Sequence, residues 1–445
     1  MSVRSLACLF TALIALLRAA DLPPRDRTVV VISLDGLPAR AFDDPKLPVP
    51  TLRRLAREGA VAKSMTVVNP SVTWPNHTAM VTGVPPARHG VLFNGMLIRQ
   101  GPHSPVRVEP WRDKAEMVRA PTVYDLAHQA GLTTAQVDWV AIYNAPTITW
   151  EFPEHPSVQG RIEQEMIAAG LVTAAEVDEF AKANITWRDQ VWTRAAVHIL
   201  EKHKPNLLLF RVLNLDGTHH RYGPGVPAAY SAIALADSRV AEVLRTIETA
   251  GLPGKATVFV VSDHGFKATT RSIRPNVALR RAGLLRAQGR DVTCDAYVVP
   301  EGGSAMVYVT DPANRPRLVP RLKEMFRDVE GVARILEPAD FSALGLPDPA
   351  RYDQMADLVL AAKDGYAFAA GWDGDLVSTT ERGGQHGYLA TDPDMDAVFL
   401  AWGYGIRPGV QLDRVANVDM APTIAALLGL RMEAVAGKKL SAILR

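Results

Sequence analysis

The sequence predicts an α/β fold built around a mostly parallel β-sheet, and three features support this prediction. Four apolar runs have the length and β-branched content of strands buried on both faces; they are TVVVISL (28–34), NLLLFRVLNL (206–215), TVFVVS (257–262) and AVFLAW (397–402), with TTAQVDWV (133–140) as a weaker fifth. Helical patterns at 49–59, 121–131 and 226–251 lie between them, and each ends at a glycine. Because strands alternate with helices, we expect a three-layer sandwich with helices on both faces of the sheet.

The N-terminus has the layout of a secretory signal. Arg4 precedes an apolar run, Leu6–Leu17, and small residues follow up to position 20. This run is short for a membrane span, so we predict a signal peptide at 1–20, export to the periplasm or the medium, and no stable membrane span afterwards. The alternative is an uncleaved interfacial anchor, since Arg18 lies close to the expected cleavage point.

Charge and cysteine content narrow the chemistry. The chain has 49 Lys and Arg residues against 47 Asp and Glu residues, and no basic block, so a nucleic-acid-binding surface is not expected. Cys8 would leave with the signal, and Cys294 would then be alone. Neither an internal disulfide nor a thiolate metal cluster can form, so any metal ligands must be histidines and carboxylates.

The chain of 445 residues is long enough for a main domain with a substantial insertion. The strand and helix alternation occupies 21–269 and 386–445, which we predict to form the catalytic domain. Between them, 270–385 contains shorter elements such as SAMVYVT and PRLVPRLKEMFRDVEG. We predict an inserted, smaller α+β subdomain there.

Three of the apolar runs lead into an acid: VVVISLDG contains Asp35, FRVLNLDG contains Asp216, and VFVVSDHG contains Asp263. In an open α/β sheet, ligands bind beyond the carboxyl ends of the strands, so the three acids point to one place. A single Asp–Gly pair is more often a turn. Three adjacent carboxylates, however, would repel one another unless a cation neutralised them.

Histidines supply further candidate ligands. His220 follows Asp216 by four residues, so a helical turn would bring the two together, whereas the neighbouring His219 would face elsewhere and serve as support. His264 adjoins Asp263, and His386 lies in GGQHGY. Aspartate and histidine without cysteine favour zinc, with manganese or another divalent ion as the alternative. With Thr73 included, the candidates exceed the four ligands of one tetrahedral site, so we expect two metals.

Thr73 lies in SVTWPNHTAMVTG, two residues before Pro75 and at the start of a helical pattern. Two interpretations are open: a helix cap that accepts a hydrogen bond from a free amide, or a nucleophile. The rest of the site decides between them.

Six segments of the chain resemble the alkaline phosphatase superfamily, most closely its nucleotide pyrophosphatase/phosphodiesterase branch. In order along the chain they are VVVISLDG, NPSVTWPNHTAMVTGVPPARHGV, LDGTHHRYGP, VSDHG, GGQHGY and NVDMAPTIAALLGL. The resemblance implies one zinc on Asp35, Thr73, Asp263 and His264, and a second on Asp216, His220 and His386. It also implies that Thr73 is the nucleophile, through a phosphoryl-threonine intermediate, and that Asn94 binds a nonbridging phosphoryl oxygen. Trp74 would form part of a wall for the leaving group or nucleobase, with ordinary packing as its alternative, and Asn76 and His77 would be supporting residues.

The function expected from this resemblance is a metal-dependent hydrolase of phosphodiester or pyrophosphate bonds, with a small-molecule phosphodiester, nucleotide or phosphonate as substrate. Two segments depart from the family pattern and leave nucleotide preference open. The chain continues as YLATDPDMD shortly after His386, and VDWVAIYNAP lacks a Trp-Pro-Gly run. The alternatives are a phosphonate hydrolase resembling phosphonoacetate hydrolase, a phosphomonoesterase, or a noncatalytic metal-binding protein.

Overall fold

The computed structural model describes residues 22–289 and 291–445, and the predicted signal peptide at 1–20 lies outside them. The strands within the described ranges are β1 (Thr28–Leu34), β2 (Ala60–Thr66), β3 (Met96–Ile98), β4 (Arg107–Glu109), β5 (Thr134–Val137), β6 (Trp150–Phe152), β7 (Leu207–Val212), β8 (Ala256–Val261), β9 (Lys267–Ile273), β10 (Leu285–Gln288), β11 (Asp291–Cys294), β12 (Ala296–Glu301), β13 (Ser304–Val309), β14 (Val332–Leu336), β15 (Leu358–Ala362), β16 (Gly365–Phe368), β17 (Val377–Gln385), β18 (Ala397–Gly403) and β19 (Val410–Ala416).

The helices of the same ranges are α1 (Pro50–Glu58), α2 (Thr73–Thr82), α3 (Pro86–His89), α4 (Lys114–Met117), α5 (Val123–Gln129), α6 (Arg161–Ala168), α7 (Ala174–Asp178), α8 (Ile185–Lys202), α9 (Asn214–Tyr222), α10 (Pro227–Thr249), α11 (Pro275–Arg281), α12 (Arg315–Arg327), α13 (Pro338–Phe341) and α14 (Met420–Leu427). None of them combines the length and the apolar composition that crossing a bilayer requires.

An eight-stranded sheet forms the centre of the protein, in the order β19-β2-β18-β8-β1-β7-β5-β6. Only β18 runs antiparallel to its neighbours, β2 and β8; the other pairings are parallel. Every residue of β1, β7 and β8 is buried, as the continuous apolar runs predicted. The predicted α/β fold with a mostly parallel sheet is confirmed.

Helices cover both faces of this sheet. On one face Val30, Ile32 and Leu34 of β1 pack with residues from α1, α6, α8 and α10. On the other face Val29 and Val31 pack with residues from α2, α5 and α14. Because side chains alternate along β1, they contribute to two separate apolar cores, one on each face of the sheet. The protein therefore has three layers, with helices on both sides of the central sheet.

Three strands of the sheet, β2, β6 and β19, were not predicted, and two predicted strands are too long. β6 has only three residues, and β2 and β19 mix buried, half-buried and exposed residues, so none of them has the continuous apolar run that marked the central strands. The run 133–140 is a strand only over Thr134–Val137. The run 206–215 ends as a strand at Val212, because the chain enters α9 at Asn214. This early helix places Asp216 in the first helical turn.

The segment 270–385 contains an antiparallel four-stranded sheet, in the order β12-β13-β15-β14, with its own apolar core. A second sheet, β16-β9-β17, begins at Lys267, so the predicted boundary at 269/270 falls inside β9. Leu92, Phe93 and Leu97 from earlier in the chain pack on the four-stranded sheet. The strand β17 ends one residue before His386 and so connects this segment to the candidate site.

Candidate metal centre and active site

The predicted acids lie beyond the carboxyl ends of three central strands of the sheet. Asp35 directly follows β1, Asp263 follows β8 after one residue, and Asp216 lies in the first turn of α9, just beyond β7. Because these strands are parallel neighbours, their carboxyl ends meet. Asp35 and Asp263 are completely buried and Asp216 is partly buried. The charge problem foreseen from the sequence is therefore present in the structure.

Gly36 forms the turn that aligns two of these acids. Its φ of 72° lies in the left-handed region, and its N–H donates a hydrogen bond of 3.1 Å to Oδ1 of Asp263. A Cβ at this position would lie 2.8 Å from a ring carbon of Phe266. The Asp–Gly turn is thus real, and it also orients Asp263.

The second half of the site forms between α9 and β17. In α9, Nε2 of His220 lies 3.4 Å from Oδ1 of Asp216, as expected for a helical four-residue spacing. Nε2 of His386 lies 3.8 Å from the same oxygen. A Cβ on Gly384 would lie 2.5 Å from the carbonyl oxygen of His219, so glycine lets β17 approach α9 closely enough to deliver His386.

Thr73 and three neighbours gather around the ring of His264. From Nε2 of His264 the distances are 3.5 Å to Oγ1 of Thr73, 3.6 Å to Oδ1 of Asp35 and 3.2 Å to Oδ2 of Asp263. The ring also stacks on His386, with centroids 3.8 Å apart. The structure thus brings together all the candidate ligands, namely Asp35, Thr73, Asp216, His220, Asp263, His264 and His386.

Thr73 does not cap α2. It is the first residue of the helix, the cap position is Val72, and no side chain makes a capping hydrogen bond there. The hydroxyl instead faces His264, at the positive end of the helix dipole. The hydroxyl of Thr73 therefore makes no capping hydrogen bond to the helix.

Asn76 and His77 hold the start of α2 in place, which agrees with their expected supporting role. The amide of Asn76 donates to the carbonyl oxygens of Pro70 and Val72. The ring of His77 lies 2.8 Å from the carbonyl oxygen of Thr73 and 2.9 Å from the hydroxyl of Ser33. Burial lowers the pKa of His77 to about 3, so the ring stays neutral.

His219 also has the supporting position that was expected. Its Nδ1 lies 3.1 Å from the carbonyl oxygen of Gly36, and its ring packs edge-on against Phe266. It therefore faces the turn after β1 rather than the carboxylates. Burial lowers its pKa to about 4.

Asn94 is exposed, and its orientation is fixed by α2. Its Oδ1 accepts a hydrogen bond of 2.9 Å from the backbone N–H of Trp74. Because the oxygen of the amide is used in this way, the NH2 group is left as a donor next to the start of α2. This is the group that would contact a phosphoryl oxygen.

Trp74 is a packed side chain, with an exposed fraction of 4%. Its ring contacts Tyr143 at a centroid distance of 5.6 Å and packs with Val91, Met117 and Val140. This burial corresponds to the packing alternative. Tyr143 is more exposed and lies on the same aromatic contact.

At this site, each of the three acids has one buried carboxylate oxygen without a hydrogen-bond partner among the described residues: Oδ1 of Asp35, Oδ1 of Asp216 and Oδ2 of Asp263. Unpaired buried acceptors are costly unless a cation or donor satisfies them. Two overlapping sets, Asp216 with His220 and His386, and Asp35 with Asp216 and His264, each place their ligand atoms within 4.8 Å of one another. The donor set therefore fits divalent metal ions.

The protonation states agree with this fit. Burial, with the negative charges of Asp263 and Asp216, holds the pKa of Asp35 well above its ordinary value, and burial raises that of Asp263 to about 7. Burial also holds the pKa values of His264 and His386 well below the ordinary histidine value. Neutral imidazoles are the form that binds metals.

One charged group behind the site was missed from the sequence. Arg211 of β7 is buried and donates two hydrogen bonds of 3.1 Å to the carboxylate of Asp138. It donates a third, of 3.3 Å, to Oδ2 of Asp35. The signals were an arginine inside the apolar run LLLFRVL and an acid directly after β5, since a buried charge requires a partner.

Comparison with known proteins gives a consistent result. Residues 29–389 match the sequence pattern of the family described as type I phosphodiesterase / nucleotide pyrophosphatase. The chain is 23% identical over 417 residues to mouse ectonucleotide pyrophosphatase/phosphodiesterase family member 7, covering 91% of this chain and 84% of that protein. It is 22% identical over 412 residues to the Xenopus laevis bis(5'-adenosyl)-triphosphatase of the same group, covering 90% and 78%.

Solved structures share the fold. Murine ectonucleotide pyrophosphatase/phosphodiesterase 5 superposes with a TM-score of 0.71 at 18% identity, over 94% of this chain and all of that chain. An inactive variant of that murine protein, with a threonine replaced by alanine and AMP bound, has a TM-score of 0.69 at 18% identity, with the same coverage.

Zinc binding is expected to release protons near neutral pH. In the metal-free protein the carboxyl groups of Asp263, with a pKa of about 7, and Asp35, with a strongly raised pKa, hold protons that a cation must displace. Affinity for zinc should therefore fall as the pH drops below about 7. Calorimetric titration in two buffers of different ionisation enthalpy measures the release, and identical enthalpies in both buffers would contradict it.

Substitution of Gly36 by alanine is expected to destabilise the protein more than the same change at Gly131. Both glycines have positive φ, 72° and 76°, and share the backbone penalty of about 1–3 kcal/mol. Only Gly36 has a neighbour in the way, since nothing lies within 4 Å of a Cβ on Gly131. Chemical denaturation gives the free energies of unfolding, and equal losses for the two variants would refute the role given to this close approach.

Proposed function

The chain belongs to the type I phosphodiesterase / nucleotide pyrophosphatase family of enzymes, and on this premise we propose that it hydrolyses phosphodiester or pyrophosphate bonds in small molecules. The single observation that carries the proposal is the position of the Thr73 hydroxyl. It lies at the start of α2, 3.5 Å from Nε2 of His264, beside carboxylate oxygens that have no other partner among the described residues. A nucleophile and a metal-binding donor set therefore share one place.

We propose two zinc ions, held by the sets that the family resemblance implies: Asp35, Thr73, Asp263 and His264 for one, and Asp216, His220 and His386 for the other. Manganese or another divalent ion is the alternative. Bound at these residues, the ions would favour the alkoxide form of Thr73 and offset the negative charge of a phosphoryl group. Burial supports this assignment, because it keeps the imidazoles of His264 and His386 neutral.

The reaction proceeds in two displacements. The hydroxyl of Thr73 releases its proton to solvent, Oγ1 attacks phosphorus, the bond from phosphorus to the leaving oxygen breaks, the leaving group takes up a proton from solvent where its pKa requires one, and a phosphoryl-threonine forms. Water then loses a proton and attacks the same phosphorus, the bond to Oγ1 breaks, and Oγ1 of Thr73 takes up a proton to restore the hydroxyl. The dipole of α2 stabilises negative charge on Oγ1 in both steps, because Thr73 is the first residue of the helix.

Asn94 binds a nonbridging oxygen of the phosphoryl group. Its Oδ1 is held by the N–H of Trp74, so its NH2 group donates toward developing charge. A neutral amide suits the single negative charge of a diester better than the double charge of a monoester. The nearest buried guanidinium, that of Arg211, is already bound by Asp138 and Asp35. Phosphomonoesterase and phosphonate hydrolase activities are therefore the weaker alternatives.

The substrate is proposed to carry a nucleotide. Support comes from the murine structure with bound AMP and from the bis(5'-adenosyl)-triphosphatase of Xenopus laevis. Export from the cytoplasm is proposed from the N-terminal signal pattern, and relatives named as ectonucleotide enzymes or venom phosphodiesterases agree with it. Tyr143, with the ring of Trp74 packed beside it, is proposed to contact the base or leaving group.

Replacement of Thr73 by alanine is expected to abolish turnover of bis-p-nitrophenyl phosphate while most of the bound zinc is retained, because the carboxylates and imidazoles remain. Absorbance at the nitrophenolate band measures the rate, and elemental analysis measures the zinc. Thr82→Ala is the matched control, since its hydroxyl, on the same helix, bonds only to the carbonyl oxygen of Thr78. Normal diester hydrolysis by the Thr73 variant would overturn the mechanism.

Replacement of Asn94 by aspartate is expected to lower kcat for the diester about 100-fold, as loss of one oxyanion donor does elsewhere. Aspartate keeps an oxygen for the N–H of Trp74 but removes the NH2 donor. Unchanged zinc content would show that the loss is not structural. Rates for bis-p-nitrophenyl phosphate, p-nitrophenyl phosphate and phosphonoacetate with the wild-type protein distinguish the three hydrolase classes, and a preference for either of the last two would remove the diesterase proposal.

A further inference from the structure

A second group of potential metal ligands lies far from the catalytic residues. It consists of Glu165 on α6, His198 on α8 and His203, the residue that follows α8. One donor atom from each lies within 4.8 Å of the other two. Oε2 of Glu165 is 3.0 Å from Nε2 of His198 and 2.6 Å from Nε2 of His203. Both imidazoles therefore converge on one carboxylate oxygen.

The location separates this group from the candidate active site. His203 lies four residues before the amino end of β7, and the ring it stacks on, Trp150, is the first residue of β6. The catalytic acids lie beyond the opposite, carboxyl ends of the sheet. The six residues of β7 between the two ends span roughly 20 Å, so the two groups cannot share an ion.

The three side chains are held in position by their surroundings. The ring of His203 stacks on Trp150 with centroids 3.7 Å apart, and the chain reverses at Lys204, whose φ is 47°. The guanidinium of Arg161 covers Trp150 at 4.0 Å, and its Nε lies 3.6 Å from Oε1 of Glu165. Arg161 thus neighbours the other carboxylate oxygen and leaves Oε2 to the histidines.

Burial and chemistry of the group both suit a cation. The side chain of His198 is 5% exposed and that of His203 is 14% exposed, while Glu165 is 30% exposed and opens the group to solvent. Two imidazoles and one carboxylate form a known zinc donor set, in which water takes the fourth position. The exposed side of Glu165 provides both the entry path and the room for that water.

We propose that Glu165, His198 and His203 form a zinc-binding site, separate from the catalytic metals, that clamps α6 to the end of α8. The ion lies between Oε2 of Glu165 and the two Nε2 atoms, and each neutral imidazole carries its single proton on Nδ1. The clamp joins elements at the edge of the sheet, where β6 has a neighbour on one side only. Its role is to secure that edge, and the proposed hydrolysis does not depend on it.

The test counts zinc per chain. Wild-type protein and the double variant His198→Gln/His203→Asn are equilibrated with zinc chloride, desalted, and measured by inductively coupled plasma mass spectrometry. The amide side chains are polar, like the imidazoles they replace, but are poor zinc ligands. The wild type is expected to hold one more zinc ion per chain than the double variant. Equal counts would overturn the proposal.

A matched control and a second measurement complete the design. His128→Gln removes an exposed histidine on α5 and is expected to keep the wild-type count, whereas loss of one ion from this variant would attribute the difference to surface binding and overturn the proposal. Wild-type crystals grown with zinc should show an anomalous-scattering peak among the three side chains. Anomalous peaks at the catalytic residues, with no peak among Glu165, His198 and His203, would overturn the proposal even if the double variant does not fold. Neither the zinc count nor the anomalous peak depends on turnover.

Discussion

Repulsion among three carboxylates at the end of one sheet is the constraint on which the rest of the site depends. Asp35 and Asp263 are completely buried, and each of the three acids retains an oxygen without a hydrogen-bond partner in the described part of the chain. Burial raises the pKa of Asp263 to about 7. Folding therefore brings together carboxyl groups that must either hold protons or be neutralised by positive charge, and the buried neutral imidazoles around them are ligands through which metal ions would supply that charge.

A fixed cation supports the site from behind. Arg211 lies near the carboxyl end of a fully buried strand, donates from Nε and Nη2 to the carboxylate of Asp138, and reaches Asp35 from Nη1 at 3.3 Å. It occupies Oδ2 of Asp35 and thereby leaves Oδ1 directed toward His264. Glu154 lies 3.7 Å from the same guanidinium group and accepts a hydrogen bond from Tyr143, so this network continues to the aromatic contact with Trp74.

The sequence predicted the centre of the fold well and its margins poorly. The runs that became β1, β8 and β18 are continuous and apolar, whereas β2 and β19 mix buried and exposed residues, β6 has only three residues, and none of the three shows a comparable signal. Within the site, acids after strands and the four-residue spacing of Asp216 and His220 could be recognised, because both depend on local geometry. The pairing of Arg211 with Asp138 was missed, because it joins positions 73 residues apart: an arginine inside an apolar run indicates a buried charge but does not identify its partner.

His386, which β17 brings next to α9, is also the last of the candidate ligands to be synthesised. Of the seven candidate ligands, six lie before position 265, and the seventh, His386, arrives only on the far side of a long segment that has its own sheets. Ribosomes synthesise a chain from its amino end, so amino-terminal residues emerge first. A growing polypeptide therefore carries Thr73 and five further candidate ligands well before His386 emerges, and the full set of candidate ligands exists only when nearly all of the chain has been made.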